Sequence, residues 1–110
     1  MKIEEDGKYK LILSMVPDLL TGRKIARALV ERRLAACVNL VNGVESTYRW
    51  KGEVQESAEV MLVIKTTAVI QDQVLEALRE LHPYEVPEGV VVPVAGGLEK
   101  YLAWIDASVG

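Results

Sequence analysis

The chain has 110 residues, half of them apolar and 26% charged, a balance that excludes a disordered segment and supports one domain rather than two. A net charge of −3 with no long run of Lys or Arg argues against nucleic acid as a partner. No window reaches the ~20 apolar residues of a membrane span, and the single cysteine, Cys37, excludes an intrachain disulfide.

Tyr9 to Val16 is an apolar-rich run that Pro17-Asp18 stops, which predicts a strand and then a helix capped by Asp18. From Leu19 to Arg33 the spacing is helical. Ile25, Ala26, Ala28, Leu29 and Val30 share one arc, and Arg23, Lys24, Arg27 and Glu31 the other. Arg32 and Arg33 end this helix and suit the negative pole of its dipole.

Ala36 to Val41 reads as a second strand and Val44 to Trp50 as its continuation, past a bulge at Asn42-Gly43. Lys51-Gly52 then turns the chain, and Glu53 to Lys65 returns as a third strand. A hairpin turn at Asn42-Gly43 itself is the other reading. The long ribbon is preferred.

Thr67 is a candidate cap for a helix from Val69 to Leu81, whose Ile70, Val74, Ala77, Leu78 and Leu81 share a narrow face before Pro83 ends it. Gly89 to Val94 is a fourth strand, and its Pro93 predicts an edge or a strand end. After a turn at Gly96-Gly97, Leu98, Tyr101, Leu102 and Ile105 predict a short closing helix.

The order βαββαβ plus a terminal helix is the ferredoxin-like α+β plan, with helices on one face of an antiparallel sheet. Residues 1–110 are expected to form this single domain, with 1–8 a loosely ordered N-terminal extension. The N-terminal MKIEEDGKYK lacks a leader-like apolar stretch. With the lone cysteine, this predicts a cytoplasmic protein without a membrane partner.

A two-layer domain covers only one sheet face, so the other face is ordinarily polar and its strands alternate. Here Leu11-Ile12-Leu13, Val60 to Ile64 and Val90-Val91-Val92 are consecutive. Both faces are apolar, and each large side chain gains about 1.5–3 kcal/mol on full burial. The second face therefore calls for further copies of the chain. Spacing alone leaves open whether two or three copies assemble.

Several segments resemble the CutA family of divalent-cation-tolerance proteins: Ala28 to Glu56 with its LAACVN, VIKTT at Val63 to Thr67, ELHPYEVPE at Glu80 to Glu88, and YLAWI at Tyr101 to Ile105. The resemblance runs from about Tyr9 onward. It implies a ferredoxin-like subunit, a homotrimer with interlocked hairpins, an architectural relation to the PII signalling proteins, and a link to copper and other divalent ions. Some copper-binding relatives carry Cys at the position of Ser14 and a His pair at Leu81 and His82. Of those three, only His82 is present in this chain.

The chemistry-bearing residues are few. Copper or zinc needs three or four converging ligands, and one His and one Cys supply no metal motif. His82 is either a metal ligand completed by other groups or a helix-end residue satisfying local carbonyls. Cys37 is either a thiolate ligand or a small buried hydrophobe, and it shares its face with Asn39 and Val41. The stiff segment from His82 to Glu88 places Tyr84 and Glu85 to line an intersubunit cleft with Lys65, Tyr48 and Trp50, or to act as a rigid connector. No GxGxxG, GxSxG or P-loop pattern occurs, so no enzyme activity is expected. A PII-like trimer that binds a small molecule or partner protein at its clefts is the alternative to a metal role.

Overall fold

The computed structural model describes residues 2–3 and 7–110. The elements are β1 (Lys2–Ile3), β2 (Tyr9–Val16), α1 (Leu19–Glu31), β3 (Cys37–Trp50), β4 (Glu53–Thr67), α2 (Gln71–Leu81), β5 (Val90–Pro93), β6 (Gly96–Gly97) and α3 (Glu99–Ser108). The main sheet is antiparallel in the order β3-β4-β2-β5, the ferredoxin-like arrangement. Of the expected extension at 1–8, residues 1 and 4–6 lie outside the described residues.

Strand alternation sorts the side chains. Ile12 and Val16 of β2 and Val60, Leu62 and Ile64 of β4 point to the helices and form one core with Ile25, Leu29, Val74 and Leu78. Gly22 allows α1 to sit this low on the sheet: a Cβ there would lie 3.1 Å from Leu40 and 3.3 Å from Val16. The alternate residues, among them Leu11, Leu13, Met61, Val63, Val90 and Val92, point away from α1 and α2. On that side α3 packs Leu102 and Ile105 against Tyr9 and Ala36 and covers one end of the face. Val90 and Val41 stay 51% and 42% exposed. Apolar side chains thus occupy both faces, and the chain by itself covers the second only at the α3 end.

The long ribbon forms as expected. β3 and β4 pair from Cys37↔Lys65 to Trp50↔Glu53, with a register shift between Val41 and Val44. The bulge is at Asn42-Gly43, and the two-hairpin reading is excluded. Lys51 and Gly52 both have positive φ, 49° and 81°, the left-handed backbone that two-residue hairpin turns require. β5 lies at the sheet edge, where Pro93 costs no ladder bond. Asp18 caps α1 by accepting the Thr21 N–H at 2.8 Å.

Four local expectations change. Thr67 does not cap α2: it is the last, buried residue of β4, and α2 begins at Gln71 after Ile70 without a side-chain cap. Sheet pairing with Tyr9 wins that residue. α1 ends at Glu31, and Arg33 adopts φ 59°. The Arg33 guanidinium donates to the Gly110 carbonyl at 2.8 Å and the Ala107 carbonyl at 2.9 Å, so it caps the end of α3 rather than its own helix. Arg32 instead reaches Glu80 across to α2, at 3.7 Å. Gly96-Gly97 is no free turn but pairs with Lys2–Ile3.

Candidate functional site

Pairing decides where the site forms. β5 pairs with β2 only from Lys10 to Leu13, so the edge of β2 beyond Leu13 faces the connector between α2 and β5. His82 fills that gap. Its Nε2 donates to the Met15 carbonyl oxygen at 2.6 Å, and its Nδ1 accepts the Tyr84 N–H at 3.2 Å. The imidazole is buried and lies 4.7 Å, centroid to centroid, from the Tyr84 ring.

Tyr84 extends the chain of contacts. Its hydroxyl donates to Glu59 Oε2 at 2.9 Å. Burial first, and the Glu59 carboxylate second, push the phenol well above its ordinary value, so it stays a neutral donor. Glu59 is only 9% exposed.

A groove of about 930 Å³ opens around this pair. The ribbon forms one wall with Tyr48 and Trp50, the connector forms the other with Tyr84, Glu85 and Val86, and Met15 and Glu59 line the base. Tyr48 accepts a hydrogen bond from Ser57 across the ribbon at 3.3 Å. Four of the five cleft residues expected from sequence therefore meet in one groove: Tyr48, Trp50, Tyr84 and Glu85.

Lys65 is elsewhere. It lies six residues along β4 from Glu59, about 20 Å at strand rise. Its ammonium donates to the Tyr101 hydroxyl of α3 at 3.1 Å, and that bond holds its pKa above the ordinary lysine value despite partial burial. Glu59 was missed from sequence. Its signal was a carboxylate directly before the apolar run Val60 to Ile64.

The metal candidates do not converge within one chain. His82 has both ring nitrogens engaged by backbone groups. Cys37 is half-buried at the start of β3, with Sγ 3.7 Å from Asn39 Oδ1. Ser14, where some relatives carry Cys, is fully buried on the helix-facing side. Among the described residues no three His, Cys, Asp or Glu side chains come together. As folded, a single chain does not fit the three or four ligands of a copper site.

Strand order 3-4-2-5, a protruding ribbon and a closing helix define an α+β subunit of ferredoxin-like plan with a groove beside the ribbon. Residues 10–108 match the family model described as CutA1 divalent ion tolerance protein, and the chain belongs to that family. A divalent-cation tolerance protein CutA of Thermus thermophilus is 48% identical over 101 residues, covering 92% of this chain and 98% of that one. The solved structure of a divalent cation tolerance protein from Thermus thermophilus superposes with TM-score 0.90 at 47% identity, covering 93% of this chain and 99% of the other. A structure described as the periplasmic divalent cation tolerance protein CutA from Archaeoglobus fulgidus gives 0.89 at 30% identity, with 93% and 99% coverage.

Proposed function

We propose that this protein acts as a homotrimer in the cellular response to divalent cations, copper among them. The match to the divalent ion tolerance family over residues 10–108 carries this reading. The trimer draws support from the apolar sheet face left open by α1 and α2, which further copies would bury. A binding or response role is favoured over catalysis, because the family description names tolerance.

The geometry bears on how copper would act. Binding at His82 would require breaking its bonds to Met15 and Tyr84, so copper contact within one chain is disfavoured there. The groove between ribbon and connector is the better ligand site, for a small molecule or a protein partner. A cytoplasmic location is part of the proposal. Among the described residues no helix is long and apolar enough to cross a membrane, while one similar structure is described as periplasmic, so cell fractionation discriminates.

The test is copper challenge of cells lacking the protein, with the wild-type chain and His82→Ala reintroduced separately. Lower tolerance restored by wild type supports the reading. Unchanged tolerance in the deletion strain contradicts it. Calorimetric titration of Cu(II) into both proteins reports on direct contact, and equal binding by the two removes His82 as a ligand.

A further inference from the structure

The helical side of the subunit carries a charge pattern of its own. Residues 19–33 hold five of the thirteen Lys and Arg of the chain but only one of its sixteen Asp and Glu, Glu31. α1 and its end are thus a basic element on an acidic protein. Gly22, Ile25 and Leu29 are the buried residues of α1. Opposite them, Leu20, Lys24, Arg27 and Glu31 recur at i, i+4, i+7 and i+11, the spacing of one helix stripe, with Arg23 beside it. All five are exposed. Copies that cover the open sheet face approach from the side away from α1 and α2, so this stripe stays at the surface of the assembly.

Two features distinguish the stripe from an ordinary solvated helix face. Its cations are incompletely paired. Arg27 holds Glu31 at 2.7 Å, while Arg23 and Lys24 enter none of the ion pairs among the described residues. Asp18, the carboxylate at the start of the helix, is engaged by the Thr21 N–H. The second feature is Leu20, which is 62% exposed and stands one turn from both Arg23 and Lys24. Together they offer burial for an apolar side chain and charge for the carboxylates around it.

The neighbouring helix limits the width of the partner. α2 lies beside α1, linked by Arg32 and Glu80 at 3.7 Å, and exposes Asp72, Glu76 and Glu80. A broad anionic surface, such as a bilayer or a nucleic-acid duplex, would meet these carboxylates along with the cations of α1, and the attraction would largely cancel. A partner one helix wide, about 10 Å, would lie on α1 alone. We infer that the outer stripe of α1 docks a short acidic segment of a partner protein, with its carboxylates on Arg23 and Lys24 and an apolar side chain on Leu20. This surface is separate from the groove beside the ribbon and does not depend on the metal reading.

The probe is a fluorescein-labelled peptide of about twelve residues with a Glu-Glu-Leu repeat, titrated with the full chain at low salt and followed by anisotropy. The expected result is saturable binding at one peptide per chain, weakened about tenfold or more when salt rises from about 0.05 to 0.5 M. Arg23→Glu with Lys24→Glu is expected to weaken binding about tenfold, because each exposed pair is worth up to about fivefold and reversal adds repulsion. Leu20→Ser should weaken it severalfold. Arg79→Glu, a charge reversal on α2, should leave it within about twofold. Absent saturation, equal binding of a Gln-Gln-Leu peptide, or equal loss in the α1 and α2 variants overturns the inference. Sedimentation with phosphatidylserine vesicles that is lost in the Arg23→Glu, Lys24→Glu protein, without peptide binding, assigns the stripe to a membrane and overturns it as well.

Discussion

His82 Nε2 and the Met15 carbonyl oxygen lie 2.6 Å apart, and that contact ties the connector to the sheet where β5 no longer pairs. The carbonyl would otherwise be a partly buried acceptor without a donor. His82→Ala is therefore expected to cost about 2 kcal/mol, combining a lost hydrogen bond and a small cavity. Urea unfolding of the two proteins measures it. An unchanged midpoint would show that the imidazole does not hold the connector.

Tyr84→Phe removes the hydroxyl that donates to Glu59 and leaves a buried carboxylate without its one hydrogen-bond partner among the described residues. A loss of about 1–3 kcal/mol is expected, the usual scale for stranding a charged acceptor. Adding Glu59→Gln should recover part of it, because the double variant no longer buries an unpartnered charge. A double-mutant cycle by thermal unfolding reads the coupling.

Ser14 is the opposite case. Its Oγ is buried and has no hydrogen-bond partner among the described residues, so the hydroxyl contributes desolvation cost without return. Ser14→Ala is expected to be neutral or to stabilise by up to about 1 kcal/mol. A clear destabilisation in calorimetric melting would reveal a partner for the hydroxyl.

Asp18 gives the pH dependence. The Thr21 N–H it accepts at the start of α1 holds its carboxyl below the ordinary aspartate value. A depressed folded-state pKa adds stability that is fully present above the unfolded value, about 4, and is lost as pH falls through the folded value. Asp18→Asn keeps the cap without titrating. The stability difference between the two proteins should be constant near neutrality and shift in favour of the variant below about pH 4, as followed by urea unfolding at a series of pH values.

Much of this fold is legible in the residues because local and global preferences agree. Pro17-Asp18, Lys51-Gly52 and Pro83 each mark a boundary by backbone chemistry alone, and the runs at Leu11 to Leu13 and Val60 to Ile64 reveal a sheet apolar on both faces. Thr67 misleads because a cap and a strand end look alike in sequence, and pairing with Tyr9 decides between them. Arg33 misleads because its partners, Ala107 and Gly110, are more than seventy residues away.

The candidate site is half legible for the same reason. Tyr84 and Glu85 sit in a segment stiffened by Pro83 and Pro87, and Tyr48 and Trp50 alternate on one face of the ribbon, so their meeting follows from topology. Lys65 shares a strand with Glu59, but the length of that strand takes it to α3 and Tyr101. His82 looks like a ligand until β5 stops at Leu13 and leaves Met15 needing a donor.

The face formed by Leu11, Leu13, Met61, Val63 and Val92 is the centre of the account, and sedimentation equilibrium of the wild-type chain at low micromolar concentration tests it most directly. The predicted result is one species of three times the 12.2 kDa chain mass, converted to smaller species by Val63→Asp. A well-folded wild-type species at the mass of a single chain would contradict it.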